Sequence, residues 1–446
     1  MSKYLIVGVA AVAMMVTVVV GATLLTKREP GSPASTALRA PQSLSPTAPD
    51  VVEEPNDRES QPLAENAIFV DVTSGTDGAK GTEGDPLRRP REAFERVEPG
   101  TTIYLRAGLY DDRETNNNIL TRSGTPDGWI DIRAYPGEEV EIVAGGEWGN
   151  GFEFQGASYV RVTGFTIRGR NDSIHGSGVF SKEGGHHIEV IDNDISGFGG
   201  AGVSLLQSSM TLVEGNKIRD TASRSYFQGS GINLFEAEGP VAEDGGASNI
   251  VRGNLVTGNY NGVNALDGQL TDGNCIIIDY FGETNYTGST LIENNVCVEN
   301  GGRGVYVFNS SNVVARNNTM VGNVRSEGLN GGKGEMVAAR ARNVSFYNNL
   351  VINDEGIAGY IDTESEGVEF TNNHILRGDI PAGRKNQKIP PTDPLLAFTS
   401  NQELGAYAPQ VASVLVGSGD PSLQPEVDAA GVLRPVPGSV GALEPR

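Results

Sequence analysis

The side chains able to do chemistry gather around one acidic stretch, Asp267-Gly268-Gln269-Leu270-Thr271-Asp272-Gly273-Asn274-Cys275-Ile276-Ile277-Ile278-Asp279-Tyr280. Asp267, Asp272 and Asp279 offer hard oxygen donors that suit Ca²⁺, or a pair of carboxylates that can serve as acid and base in glycoside hydrolysis. Their spacing is not that of an EF-hand loop, so calcium rests on the supply of carboxylates alone. Glu236 and Glu335 are further acids, and Lys182, Arg303 and Lys333 are the cations to be considered with them. Elimination from a uronic acid needs a base to take the proton at C5 and positive charge to stabilise the enolate-like carboxylate, and Lys or Arg can do either. The catalytic candidates are therefore Lys182, Glu236, Asp279, Arg303, Lys333 and Glu335, and the metal candidates are Asp267, Asp272 and Asp279. Each of these also reads as an ordinary solvated charge. His175, His186 and His187 lack the i, i+4 spacing of a helical zinc site, and no Ser-His-Asp order, phosphate loop or dinucleotide fingerprint occurs.

The elements that must position these groups follow from a repeat. Asn193, Asn216, Asn254, Asn295, Asn318, Asn349 and Asn373 recur at spacings of 23, 38, 41, 23, 31 and 24. Three residues before each stands Val190, Val213, Val251, Ile292, Ala315, Phe346 or Phe370, and two after each stands Ile195, Ile218, Val256, Cys297, Met320, Val351 or Ile375. Such a short unit cannot bury an apolar face alone, but coils stacked at ~4.8 Å pair every strand with the next coil and share one core. A repeated Asn at one bend can hydrogen-bond its neighbours along the stack and tolerates left-handed backbone. The expected fold is an all-β parallel β-helix.

A second column begins at a small residue: Gly178-Val179-Phe180, Gly202-Val203-Ser204, Gly231-Ile232-Asn233, Cys275-Ile276-Ile277 and Gly304-Val305-Tyr306, continuing near Glu335-Met336-Val337 and Ile357. Alternation turns its Val or Ile inward and the next residue to solvent. The long spacings place insertions near 236–248, 265–289 and 324–334, where loops on neighbouring coils would wall a groove. Cys275 and Cys297 occupy different columns, so no disulfide is expected and Cys297 reads as a small core residue.

Upstream stand Ile68-Phe69-Val70-Asp71, Ser74-Gly75-Thr76-Asp77-Gly78, Asp85-Pro86-Leu87, Arg91-Glu92-Ala93-Phe94 and Pro99-Gly100-Thr101-Thr102-Ile103-Tyr104-Leu105-Arg106-Ala107-Gly108-Leu109-Tyr110. This segment resembles the opening of the pectate-lyase-like, single-stranded right-handed β-helix superfamily, especially polysaccharide lyases of family nine and their relatives. The resemblance implies a strand, an amphipathic helix capping the open core, and a first coil, with Leu87, Phe94 and Val97 on the cap. Asp393-Pro394-Leu395-Leu396 through Asp428-Ala429-Ala430-Gly431 to Gly441-Ala442-Leu443-Glu444 resembles the closing segment of secreted β-helix proteins. No catalytic set of a lyase family matches residue by residue, so none is transferred.

The expected organisation is a transmembrane anchor or signal peptide at 1–26, a linker rich in Pro, Ser, Thr and acidic residues at 27–65, the opening segment at 66–110, the β-helix at 111–380 and a closing segment at 381–446. No charge interrupts Tyr4 to Thr26, a length that can span a hydrocarbon core of ~30 Å as a helix. A net charge of -22 argues against a nucleic-acid partner. The expected partner is an extracellular polysaccharide, met by a monomer held outside the cytoplasm. Its expected activity is β-elimination on a uronic-acid polymer, with glycoside hydrolysis by paired carboxylates or glycan binding alone as the alternatives.

Overall fold

A computed structural model describes residues 63–111, 118–353, 356–381, 383, 385–396 and 403–445. The apolar N-terminal run and most of the linker lie outside these residues. No helix among them is long and apolar enough to cross a membrane.

The described residues form 31 strands in three parallel sheets of 11, 9 and 11. From Thr102–Leu105 to His374–Ile375 successive strands fall to the first, third and second sheets in turn. In the first sheet Val190, Val213, Val251, Ile292, Ala315, Phe346 and Phe370 stack in register. In the third sheet Ile195, Ile218, Val256, Cys297, Met320, Val351 and Ile375 do the same. All are buried in one continuous core. Burying each Val or Ile contributes about 1.5–3 kcal/mol, so the aliphatic seam dominates stability.

The asparagines form a ladder at the turn between the first and third sheets. The backbone N–H and the Nδ2 of Asn254 both donate to Oδ1 of Asn295, at 3.1 and 2.9 Å. The same pair recurs from Asn193 up to Asn373, which donates to Asn386 at 3.0 and 3.1 Å. The left-handed residue is the one before each rung, as at Asp192 (φ 54°), Asn294 (57°) and Asn348 (52°), while the ladder asparagines themselves stay outside that region.

The second sheet runs from Ile119–Leu120 to Gly359–Ile361. Its register confirms the column through Met336, but the next member is Ala358-Gly359-Tyr360, because Gly359 pairs with Met336, and Ile357 precedes the column. The small residue opening each strand faces across the core onto the third-sheet residue: a Cβ on Gly178, Gly202 or Gly231 would run into Ile195, Ile218 or Val256. In one coil that contact is Cys275 against Cys297. The two are joined as a disulfide with Cα atoms 5.6 Å apart, which overturns the expectation of none. Residues in different columns meet here because the columns face one another across the narrow interior.

Helix α1 (Pro90–Phe94) with Leu87 and Val97 closes the N-terminal end of the core, and Phe94 meets Phe152 at 6.5 Å between ring centres. The closing segment instead lies along the outer face of the third sheet. Leu396, Tyr407, Leu415 and Leu443 pack on Leu255, Val296, Val298 and Leu350. Buried Arg434 fixes it, pairing with Glu444 at 2.5 Å and donating to Asn294 Oδ1 at 2.9 Å.

Candidate active site

The outer face of the second sheet is where strand alternation, loop insertions and acidic residues coincide. In the strand Ile276–Asp279, Ile276 and Ile278 enter the core while Ile277 and Asp279 point outward. Asp279 sits in register between Phe235 and Phe308 on the flanking coils. Ile277 lies beside Tyr306, Val337 follows, and these outward apolar groups pack into a small cluster with Phe308 and Tyr360. Tyr280 stands between Phe235 and Phe308, at 5.6 and 5.2 Å. The insertions at 265–274 and 324–334 precede strands of this sheet and those at 236–248 and 280–289 follow them, so both edges are raised.

Among these rings the carboxyl of Asp279 is half-buried, and its Oδ1 is buried without a hydrogen-bond partner. Burial, then the charges of Asp272 and Glu236, hold its pKa well above the usual carboxylate range. Glu236 follows Phe235 on the adjacent coil, and its backbone N–H donates to the Asp279 carbonyl at 2.8 Å. Its own pKa is raised by burial and by Glu283 and Glu238. Asp272 lies in the loop before the strand, accepts from Asn274 Nδ2 at 2.9 Å, and is pushed up to about 6 by burial against the opposing charge of Arg303. An acid whose pKa is raised, beside a second carboxylate, is the combination that proton transfer to a leaving group requires.

The other candidates separate from this group. Arg303 is fully buried, and its guanidinium is spent on carbonyls: Nε donates to Gly332 O at 2.7 Å, Nη2 to Asn330 O at 2.6 Å, and Nη1 to Thr271 O. It stacks 4.3 Å over Tyr306 and fastens the 261–274 loop to the 324–334 loop. Glu335 occupies the small-residue slot that faces the core. There its carboxylate accepts from the backbone N–H and Nδ2 of Asn323, at 2.9 and 2.7 Å, with burial raising it to about 7. It ends a second ladder, in which Asn259 donates to Asn300 and Asn300 to Asn323. The signal for that ladder is plain in retrospect: each member stands five residues after Asn254, Asn295 or Asn318.

Lys182 does face outward on the second sheet, but three coils from Asp279, about 14 Å along the stack, where it pairs with Glu153 at 3.2 Å. Lys333 is exposed in the loop ahead of Met336. Asp267 is exposed, and its Oδ1 accepts from Gln269 N–H in its own turn. Asp267, Asp272 and Asp279 therefore do not converge, and no group of three His, Cys, Asp or Glu suited to a metal occurs among the described residues. This donor set does not fit Ca²⁺.

His175 joins Trp148, Tyr226 and Phe227, and His186 and His187 touch each other and Tyr159 at the start of the fifth strand of the first sheet. A crevice of about 230 Å³ lies elsewhere, where Glu403 meets the third sheet, and its charges are already paired as Lys217 with Glu403 and Arg219 with Asp194.

With this geometry in view, comparison with known proteins gives the class. A family model described as the Pel9A-like, right handed beta helix region matches residues 68–230. The curated pectate lyase PEL9 of Emericella nidulans is 43% identical over 68 residues, 15% of this chain and 16% of that protein, so the likeness spans only a small part of that relative. Among solved structures, pectate lyase Pel9A superposes with a TM-score of 0.52 at 15% identity, covering 86% of this chain and 97% of that one. XylC in complex with xylose gives 0.50 at 12% identity, covering 84% and 98%. These structural likenesses establish the fold. The chain is a right-handed parallel β-helix whose residues 68–230 are similar to the Pel9A-like family. The family match includes Lys182 but ends before Glu236, Asp272 and Asp279.

Proposed function

We propose that this protein cleaves an extracellular polysaccharide by glycoside hydrolysis on the outer face of the second sheet. Asp279 is the general acid, protonating the glycosidic oxygen. Glu236 is the second carboxylate, activating water or attacking the sugar. The observation that carries this reading is the buried, unpartnered Oδ1 of Asp279 on an outward strand, since burial of an unpaired carboxyl among aromatic rings favours its protonated form. A cation at this point would hold Asp279 ionised instead; Arg303 and Lys182 are engaged elsewhere, Lys333 is exposed in its loop, and Arg340, 5.5 Å over the Phe308 ring, pairs with Glu364 at 3.4 Å.

β-Elimination on a uronic-acid polymer is the second reading, favoured by the Pel9A-like match over 68–230. It would assign Lys182, inside the matched segment, the role of base after release from Glu153. Calcium enters neither reading as a step.

The protein works outside the cytoplasm as a monomer, with the Tyr4–Thr26 run as its export or anchoring segment. The Cys275–Cys297 disulfide supports that location, because disulfides persist in oxidising compartments.

The full chain incubated with plant, algal and bacterial glycans, with and without calcium, tests these readings. New reducing ends without the ultraviolet absorbance of unsaturated ends, lost in Asp279→Asn, are the expected result. Unsaturated ends that vanish in Lys182→Ala would replace hydrolysis by elimination. No new ends on any glycan would leave binding alone.

A further inference from the structure

Ahead of the second sheet, on its N-terminal coils, four rings project from loops of three different coils. Trp148 precedes the strand Phe152–Gln155, His175 precedes Val179–Lys182, and Tyr226 and Phe227 precede Ile232–Phe235. Their ring centres are close: Trp148 to His175 4.5 Å, His175 to Tyr226 4.5 Å, His175 to Phe227 5.1 Å and Trp148 to Phe227 5.6 Å. Yet Trp148 is 50% and Phe227 47% exposed. Large rings that touch one another and still face water are uncommon on a monomer surface unless something covers them.

The group is built rigidly. Phe227 reaches His175 across an intervening coil whose own loop is reduced to Gly199 and Gly200, where a Cβ would strike the carbonyls of Ile174 and His175. Arg224 ties the Phe227 loop down, donating to Gly197 O at 2.6 Å, Ser173 O at 3.1 Å and Arg170 O at 3.2 Å. Ser225 Oγ meets His175 Nδ1 at 3.0 Å, and the Ser225 N–H donates to Gly199 O at 3.0 Å. A platform held in advance loses little freedom when a ligand settles on it.

We propose that Trp148, His175, Tyr226 and Phe227 form a stacking subsite for an uncharged pyranose, holding the glycan on the N-terminal side of Asp279. This placement rests on the hydrolytic reading for its groove, although binding is separable from cleavage. Asp279 lies one coil beyond the Phe227 loop and four beyond the Trp148 loop, about 5 and about 19 Å along the stack, and at the far end of its strand, about 10 Å across the sheet from the strand's start, so one extended chain set obliquely to the stack spans both. The C–H face of a sugar ring matches an aromatic plane. The neighbouring charges select against a uronate: Glu147 and Asp172 are exposed here, Arg170 pairs with Asp111 and Asp172, and Arg224 is spent on carbonyls.

The test is calorimetric titration of the full chain with xylohexaose, cellohexaose, xylobiose and hexagalacturonate, on the wild type, Trp148→Ala, Trp148→Phe, Phe227→Ala and Asp279→Asn, with thermal melts beside each. At least one neutral hexasaccharide is expected to bind. Trp148→Ala and Phe227→Ala should each weaken it about tenfold without lowering the melting temperature, and Trp148→Phe should recover part of the loss. Binding in Asp279→Asn should persist, so a protein that binds through Trp148 but cleaves nothing keeps the subsite and discards the hydrolase. Hexasaccharide affinity unchanged by both alanine variants, tighter binding of hexagalacturonate, or no binding of either neutral hexasaccharide overturns the subsite.

Discussion

Two outward faces of this solenoid are apolar, and the chain treats them oppositely. On the third sheet, Leu255, Val296, Val298 and Leu350 are covered by the closing segment, and the buried charge brought with it is paired, Arg434 with Glu444, although Arg434 Nε has no partner. On the second sheet, Phe235, Tyr306 and Phe308 surround a carboxyl whose Oδ1 has no partner. Burial without satisfaction costs stability, so the first arrangement reads as structure and the second as stored chemistry.

Substitution at the two faces should therefore separate stability from activity. Asp279→Asn should lower glycan cleavage by a hundred- to ten-thousand-fold, the range for loss of a general acid, while the melting temperature holds or rises. A large fall in melting temperature would make Asp279 structural and erase the contrast. The folded pKa of Asp279 is raised, so the wild-type rate should fall as pH climbs through it, because only the protonated form donates; rate–pH profiles measure this.

Arg434→Ala should do the reverse. It leaves the buried Glu444 carboxylate without its counter-ion, with only hydrogen bonds such as those from Ser439 remaining, which costs about 3–5 kcal/mol in denaturant titration, with the cleavage rate per folded molecule unchanged. Reducing Cys275–Cys297, which closes a loop with a separation of 22, should cost about 3 kcal/mol and is read as a lower denaturation midpoint under reductant.

The smallest effect concerns Glu335. Its pKa is raised from 4.5 to about 7 in the folded chain, so the native state binds the extra proton and stability falls as pH rises between those values. Glu335→Gln keeps an oxygen for Asn323 and removes the charge. It should stabilise the protein above neutral pH, on the order of 3 kcal/mol at most, and flatten that slope in melts run across the pH range.

Much of the fold was legible because stacking forces like residues into columns, and periodic asparagines and aliphatic residues report that directly. Asn386 escaped notice because its coil is short and lacks the flanking apolar pattern. The disulfide escaped because columns say which residues stack along the axis, not which face each other across the core. Of the nominated acids, Asp279 and Glu236 lie side by side where alternation and insertions placed them. Glu335 and Arg303 are buried instead, because a charge beside the apolar residues of a column can point inward when a ladder or a set of carbonyls receives it.

The sequence by itself determined the coil period, the inner seam and the strand that turns outward at Asp279, since these depend on local alternation and repetition. Which charges remain unpaired was decided only in three dimensions. Whether Arg303 meets Asn330 and Gly332, or Lys182 meets Glu153, depends on loops from different coils closing over one another, and no local spacing encodes that.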